Sequence, residues 1–234
     1  MAFGVVVTGK MPYGRVERIG GSCVQTTFSH FWFLPIVPHG SYVHSESGSE
    51  VKEVGIGWHL TSILACYARV WGVIWWIVCA IYLFRSEPEF VLGTPVWVDF
   101  VLLSGIVVWG WLVAGRVSRR TAAQRRVYAK FAGVPVDVTR YSRAQAQDLR
   151  EELERVLVEE GRGQRFAYRD GQEPRVAWRQ IALHDDVFDP KYLEAALTRA
   201  RLESRWAPSR DERRAHARAH DRIWHKLANL PRPG

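Results

Sequence analysis

Two ionisable side chains interrupt apolar segments that are otherwise uncharged, and they are the first candidates for chemistry. Arg69 lies in LTSILACYARVWGVIWWIVCAIYLF at 60–84, and Asp99 lies in VLGTPVWVDFVLLSGIVVWGWLVAG at 91–115. Ionisable groups are costly in a bilayer and often serve there in ion or proton transfer. If both segments cross a membrane as helices, the two groups are offset by about 10 Å along the axes. A direct ion pair requires a shift of the helices, so we expect Arg69 to extend to the nearer membrane surface and Asp99 to the outer surface or a partner helix.

Three potential metal-ligand residues share one predicted helix face near the C-terminus. His216 and His220 are four positions apart in ERRAHARAH, and Glu212 precedes them by one turn. That spacing matches a helical metal site, but neighbouring arginines oppose a cation and no further ligand motif completes the set. A solvated helix face is the simpler interpretation, and we expect no bound metal.

Three further histidines, His30, His39 and His44, flank the prolines of FSHFWFLPIVPHGSYVHSE at 28–46. We expect them to hydrogen-bond at an interface, and an enzyme site that acts on lipid is an alternative. No histidine lies inside either apolar core, so a haem held by two axial histidines has no ligands there. The sequence has no nucleophile elbow, phosphate-binding loop or dinucleotide fingerprint, which predicts a non-enzymatic protein without a cofactor.

The two apolar segments predict a transmembrane helical hairpin at 59–116. As a helix, 60–84 is about 37 Å long, which exceeds the ~30 Å thickness of the hydrocarbon layer. Seven of the 11 tryptophans lie between residues 58 and 111. Such a concentration is typical of lipid-facing and interfacial helices.

Basic residues predict the orientation of this hairpin. The connecting loop RSEPEF at 85–90 has one arginine, whereas six basic residues follow the second segment: Arg116, Arg119, Arg120, Arg125, Arg126 and Lys130. Basic flanks stay on the cytoplasmic side, so we expect both termini to be cytoplasmic and the protein to be integral to an inner or cytoplasmic membrane. The same six residues are candidates for contact with anionic lipids, which is worth about 1 kcal/mol per residue near the surface.

The segment 1–58 predicts a small β-rich module. β-Branched runs and glycines indicate short strands, and PIVPHG at 35–40 is predicted to be a turn. We expect the aromatic edge of the module to lie at the cytoplasmic membrane interface, with a re-entrant loop as the alternative. Residues 45–57 are predicted to be a linker or a last strand.

Residues 117–234 predict a basic, helical cytoplasmic domain. Residues 116–234 contain 26 Lys and Arg against 17 Asp and Glu, whereas 1–115 contain 6 against 7. Helices are predicted over 142–161, from Asp189 and from Ser209, each with a capping pattern, together with a basic extension of the second membrane helix. Mixed charges without a helix-turn-helix pattern make nucleic acid an unexpected partner. The predicted core contains Tyr128, Phe131, Trp178, Phe188, Tyr192, Trp206 and Trp224.

The predicted fold class is therefore a membrane α-helical hairpin of two transmembrane helices with a small β-rich N-terminal module and a helical cytoplasmic C-terminal domain. Two small-xxx-small pairs, Ala68 with Gly72 and Gly110 with Ala114, favour helix packing and self-association. We expect a membrane anchor, or an accessory or scaffold subunit of a membrane assembly. Its partners would be the lipid bilayer and either further copies of the chain or other membrane proteins. The alternative is a subunit of an oligomeric ion or proton channel or transporter that uses Arg69 and Asp99.

Overall fold

The computed structural model describes residues 8–47, 50–84, 90–91, 94–161 and 174–230. The chain forms two compact units, Met1–Ser118 and Arg119–Gly234. The first unit contains a sheet and two long apolar helices, and the second unit is helical. The predicted order of a β-rich segment, an apolar helical pair and a helical C-terminal region is confirmed.

Four antiparallel strands form a meander in the first unit, in the order β1-β2-β3-β4. They are β1 (Thr8–Ile19), β2 (Ser22–Phe31), β3 (Leu34–Ser47) and β4 (Glu50–Ile56). Each strand pairs with its neighbour in sequence, because short connections favour antiparallel hairpins. The segment at 45–57, predicted as a linker or a last strand, contributes the end of β3 and all of β4.

The turn between β2 and β3 lies at Trp32 and Phe33, which have positive φ angles of 52° and 64°. β3 then runs through Pro35 and Pro38. Proline cannot donate a ladder hydrogen bond, and the β2–β3 pairing shifts register beside both prolines. The prediction of a turn at 35–40 is wrong, because bulges in the pairing accommodate prolines that a regular strand excludes.

Two helices of this unit are long and apolar enough to cross a membrane. The first is α1 (Leu60–Leu83), and the second is α2 (Val96–Val108), which continues as a π-helical turn at Trp109–Val113. Two short strands, β5 (Phe90–Val91) and β6 (Thr94–Pro95), precede α2, so this helix begins later than the predicted 91. Residues 85–89 of the connecting loop lie outside the described residues.

The second unit has helices α3 (Arg119–Ala132), α4 (Arg143–Gly161), α5 (Pro174–Leu183), α6 (Pro190–Trp206) and α7 (Arg210–Ala228). Three of them begin where the capping patterns predict. Ser142 and Gln145 bond reciprocally before α4, Asp189 caps α6, and Ser209 forms a capping box before α7. The chain leaves the helical conformation after Val113 and starts α3 as a new helix, so the predicted extension of the second apolar helix is wrong.

The core of the second unit surrounds α6. Of the predicted aromatic core residues, Tyr128, Trp178 and Tyr192 are buried, and Phe131, Trp206 and Trp224 are half-buried. Phe188 is 61% exposed, so its predicted burial is wrong. It immediately precedes the Asp189 cap, and Lys226 Nζ lies 5.6 Å from its ring centroid.

Candidate functional site

The sheet packs against the first turns of α1. Phe28 of β2 forms a buried cluster with Ile63 and Cys66 of α1. Tyr13 and Tyr67 place their ring edges against Phe28, with centroids 5.9 and 5.5 Å away. Burying such rings in edge-to-face contact stabilises the junction beyond the buried area alone. The N-terminal part of α1 therefore has protein on one side.

Arg69 connects three elements at this junction. Its Nε donates to the carbonyl of Gly110 at 2.7 Å, and its Nη1 donates to the carbonyl of Arg15 at 2.9 Å. The guanidinium carbon also lies 5.7 Å from the ring centroid of Trp111. A planar fork of donors suits carbonyls that arrive from different directions, so Arg69 joins α1 to β1 and to the π-helical turn.

Asp99 is placed far from Arg69. It is 8% exposed and lies in the first turn of α2, whereas Arg69 contacts Gly110 at the other end of that helical segment. Eleven residues separate Asp99 from Gly110, which corresponds to about 16 Å along a helix. A carboxylate in the first turn is favoured by the helix dipole. The structure does not bring the two predicted intramembrane charges together.

The predicted helix-packing residues, Ala68, Gly72, Gly110 and Ala114, lie at or near the contact between α1 and the second helical segment of the same chain. A Cβ added at Gly110 would lie 2.8 Å from the Cβ of Ala68, and one added at Gly72 would lie 3.3 Å from Val107 Cγ2. Ala114, directly after the π-helical turn, is 9% exposed. Gly72, Gly110 and Ala68 thus allow close approach of the two helices within the hairpin. Packing within the hairpin accounts for Ala68, Gly72 and Gly110, and self-association through these residues stays a prediction.

A second set of bonds, which the sequence reasoning missed, ties β1 to both ends of the helical pair. The Glu17 amide donates to the carbonyl of Gly115 at 2.8 Å, and Ser62 Oγ donates to the carbonyl of Gly14 at 2.6 Å. Glu17 Oε1 also lies 3.2 Å from Nε2 of His59, which caps α1. Gly14 and Gly115 have positive φ angles of 66° and 75°, which glycine adopts without strain. No local pattern in the sequence indicates such pairs.

The start of β3, directly after the β2–β3 turn, is bonded to α1 through its backbone carbonyls. Trp71 Nε1 donates to Pro35 at 2.8 Å, and the Tyr67 hydroxyl donates to Ile36 at 2.7 Å. Tyr67 and Trp71 lie about 10 and 16 Å along α1 from its first residue. We call residues 31–37 the aromatic tip. Its outward side chains are 45–56% exposed: Phe31, Trp32, Phe33, Ile36 and Val37.

The three N-terminal histidines do not converge on one site. The ring of His30 stacks on Phe33 with centroids 5.8 Å apart, and His39 Nε2 lies 2.5 Å from Ser29 Oγ. His44 bonds Glu46 and Glu53 at 3.1 and 3.2 Å, and these hydrogen bonds raise the pKa of His44. The three histidines have separate partners, so they do not form the shared site that a lipid-acting enzyme would need.

In the second unit, a polar network surrounds a cavity of about 340 Å³. Arg201 makes two bonds to Asp137, at 3.0 and 2.5 Å, and the Tyr128 hydroxyl lies 2.7 Å from His220 Nε2. Burial, followed by the nearby charge of Arg201, lowers the pKa of His220 to about 4, so the imidazole is neutral at pH 7. Burial also raises the pKa of Tyr128. The Tyr128 hydroxyl and a neutral imidazole thus share one buried hydrogen bond in this network.

The predicted metal-ligand residues of α7 are directed to separate environments. His216 stacks on Trp178 with centroids 5.8 Å apart, and His220 belongs to the polar network. Glu212 completes the capping box with Ser209. Among the described residues, no group of three or more His, Cys, Asp or Glu side chains is arranged to hold a metal ion. The predicted solvated face is wrong for His220, which is 6% exposed.

The six basic residues after the second apolar segment divide into two groups. Arg125 is 6% exposed, and Arg120 and Lys130 pair with Asp221 and Glu194 at 3.2 and 2.5 Å. A buried arginine has no access to lipid, which removes Arg125 from the lipid-contact candidates. The members that remain exposed without a described ion pair are Arg116, Arg119 and Arg126.

Comparisons with protein-family models, with curated proteins and with solved structures found no match to this chain.

Proposed function

We propose that this protein is a non-enzymatic, two-pass membrane protein that acts as an anchor or as an accessory or scaffold subunit of a membrane assembly. The observation that carries the proposal is the apolar outer surface of α1 and α2. Only 33% and 17% of the two helices' most apolar windows are buried. Exposed large side chains on them include Trp75, Ile77, Ile81, Trp97, Val101, Leu102, Ile106 and Leu112. A continuous surface of this kind requires an apolar environment.

The aromatic tip supports a membrane location for the sheet as well. Amphipathic rings are favoured at the boundary between head groups and hydrocarbon. The bonds from Tyr67 and Trp71 fix the tip beside α1, about two to three turns from the start of that helix. We infer that the tip enters the cytoplasmic interface next to α1, and that Arg69 extends to the same surface from within the membrane-crossing helix. The fixed backbone bonds argue against a re-entrant loop.

An anchoring role is favoured over a channel. Arg69 is held by two backbone carbonyls, and its contact at Gly110 lies about 16 Å from Asp99 along the second helical segment, so the two charges do not pair within the chain. The polar network of the second unit is internally paired and offers no activated nucleophile. A cytoplasmic helical unit connected to a rigid membrane-bound unit suits the docking of partner proteins or of further copies of the chain.

Membrane insertion and orientation are tested together by cysteine labelling. Cys23, Cys66 and Cys79 are replaced by Ala, and single cysteines are introduced as Glu46→Cys, Ser86→Cys and Asp211→Cys. We expect the protein to resist carbonate extraction, and a membrane-impermeant maleimide to label only Ser86→Cys on intact cells. Permeabilised cells should label the other two variants. Release by carbonate, or labelling of Glu46→Cys from outside, would overturn the proposed topology.

The scaffold role is tested by the mass of the full chain in nanodiscs. A complex with other proteins in fixed ratio, or a closed homo-oligomer, is the expected result. Recovery of a lone monomer after gentle solubilisation would contradict the role. Asp99→Asn in proteoliposomes tests the channel alternative, because only that function predicts an ion or proton flux that the substitution changes.

A further inference from the structure

A cleft of about 610 Å³ opens in the first unit between β1 and the end of the second apolar helix. Among the described residues, the cleft is lined by four arginines, Arg15, Arg18, Arg69 and Arg116, and by one carboxylate, Glu17. Glu17 Oε1 lies 3.2 Å from His59 Nε2. The cleft therefore has a net positive charge whose field favours an anion.

Arg69 is the fixed cation of this cleft. Two of its donors are held by the carbonyls of Gly110 and Arg15, which orient the guanidinium plane. A guanidinium carries five N–H donors, so others are left to face a ligand. Pre-orientation of this kind lowers the entropic cost of binding, and arginine donors match the oxygen geometry of a phosphate. Arg15, Arg18 and Arg116 are exposed side chains that can approach the same ligand.

The rest of the cleft is apolar and continues onto α2. Trp111 and Leu112 line it and are 61% and 55% exposed on the outer surface of the helical segment. An inorganic ion would leave this apolar surface exposed to water, whereas the acyl chain of a lipid would bury it. The combination of a cationic pocket and an adjoining apolar strip fits an amphiphile.

We propose that this cleft binds the phosphate of an anionic phospholipid head group, with an acyl chain along Trp111 and Leu112. The inference rests on the proposed membrane insertion, which places the end of the second apolar helix at the cytoplasmic interface. Arg69, Arg15, Arg18 and Arg116 donate to the phosphate oxygens. The shared chemistry is that of a phosphate ester, and a soluble phosphate ester is the competing source of that group.

The test is native mass spectrometry of the full chain released from nanodiscs that contain equal amounts of phosphatidylglycerol and phosphatidylcholine. We expect retained phosphatidylglycerol on the unaltered chain. The variant Arg15→Gln/Arg18→Gln/Arg116→Gln leaves Arg69 in place. It should retain at least about tenfold less phosphatidylglycerol, since each basic residue near an anionic lipid contributes to binding. The control Arg143→Gln/Arg210→Gln/Arg218→Gln removes equal charge from exposed positions outside the cleft and should behave as the unaltered chain.

Each other outcome overturns the inference in a distinct way. Equal losses of phosphatidylglycerol in both triple variants would mean that the overall charge of the chain, and not a specific site, attracts the lipid. Displacement of the lipid by equimolar glycerol phosphate would assign the cleft to soluble phosphate esters. A chain that resists carbonate extraction but retains no phosphatidylglycerol contradicts this inference alone, whereas a chain that carbonate releases contradicts the proposed function.

Discussion

The two units stabilise their inward-facing arginines with different partners. In the first unit, Arg69 donates to the backbone carbonyls of Gly110 and Arg15. In the second unit, Arg201 pairs with Asp137 and Arg150 pairs with Glu203 through two bonds each. Carbonyl groups satisfy the donors of a guanidinium but leave its charge, whereas carboxylates also neutralise it. The first unit thus retains a net positive cleft, whereas carboxylates neutralise Arg201 and Arg150 in the second unit.

The largest effect that tests this contrast is expected for Asp137→Asn. The side chain would still cap the short turn at Val138–Arg140, but Arg201 would lose its counter-charge. The Arg201 side chain is 37% exposed, so solvent screens part of its charge and the loss of the counter-charge costs about 2–3 kcal/mol. Hydrogen exchange of the α6 peptides in the full chain measures the loss of opening free energy. Asp148→Asn, on the exposed face of α4, is the matched control and should change it by less than about 0.5 kcal/mol.

The next effect is a loss of stability of the second unit in acid. The pKa of His220 is about 4 in the folded chain, below its ordinary value, because burial and then Arg201 disfavour the imidazolium. The unfolded chain therefore binds more protons below pH 6.5, and stability falls as the pH drops from about 6.5 toward 4. We expect a loss of about 2 kcal/mol between pH 7.5 and 4.5. Exchange of the α7 peptides, corrected for intrinsic rates at each pH, provides the measurement.

His220→Gln isolates this contribution, because the amide still accepts from Tyr128 and does not titrate. The variant should show a smaller acid-induced loss than the unaltered chain. Burial also lowers the pKa of His216, which leaves a residual pH dependence of the same sign. An unchanged pH profile in His220→Gln would refute the assignment to His220.

Local signals account for what the sequence predicted well. The caps at Ser142, Asp189 and Ser209 depend on partners within three residues, and all three helices begin beside them. Arg69 was recognised as a candidate, but its partners lie 41 and 54 residues away in the chain. Their identity depends on the packing of α1 against β1 and the end of α2. Helix α5 is only 10 residues long and was missed.

A third effect tests how closely the helices of the first unit pack. A Cβ at Gly110 would lie 2.8 Å from the Ala68 Cβ, so Gly110→Ala forces α1 and α2 apart near the bonds of Arg69. Overpacking of this kind costs about 1–3 kcal/mol. Gly105→Ala is the control on the same helix, because its Cβ would meet nothing within 4 Å. Thermal unfolding of the full chain in nanodiscs should separate the two variants, and equal melting temperatures would contradict the packing assignment.

The smallest effect concerns the attachment of the aromatic tip to α1. Trp71→Phe removes the donor to the Pro35 carbonyl and keeps most of the aromatic surface. The loss of one hydrogen bond costs about 1 kcal/mol, and it should appear as faster hydrogen exchange in the peptide that covers residues 31–40. Trp75→Phe is the matched control, since Trp75 is exposed one turn further along α1. If both variants leave the exchange of this peptide unchanged, the lipid interface and not the Trp71 bond holds the tip in place.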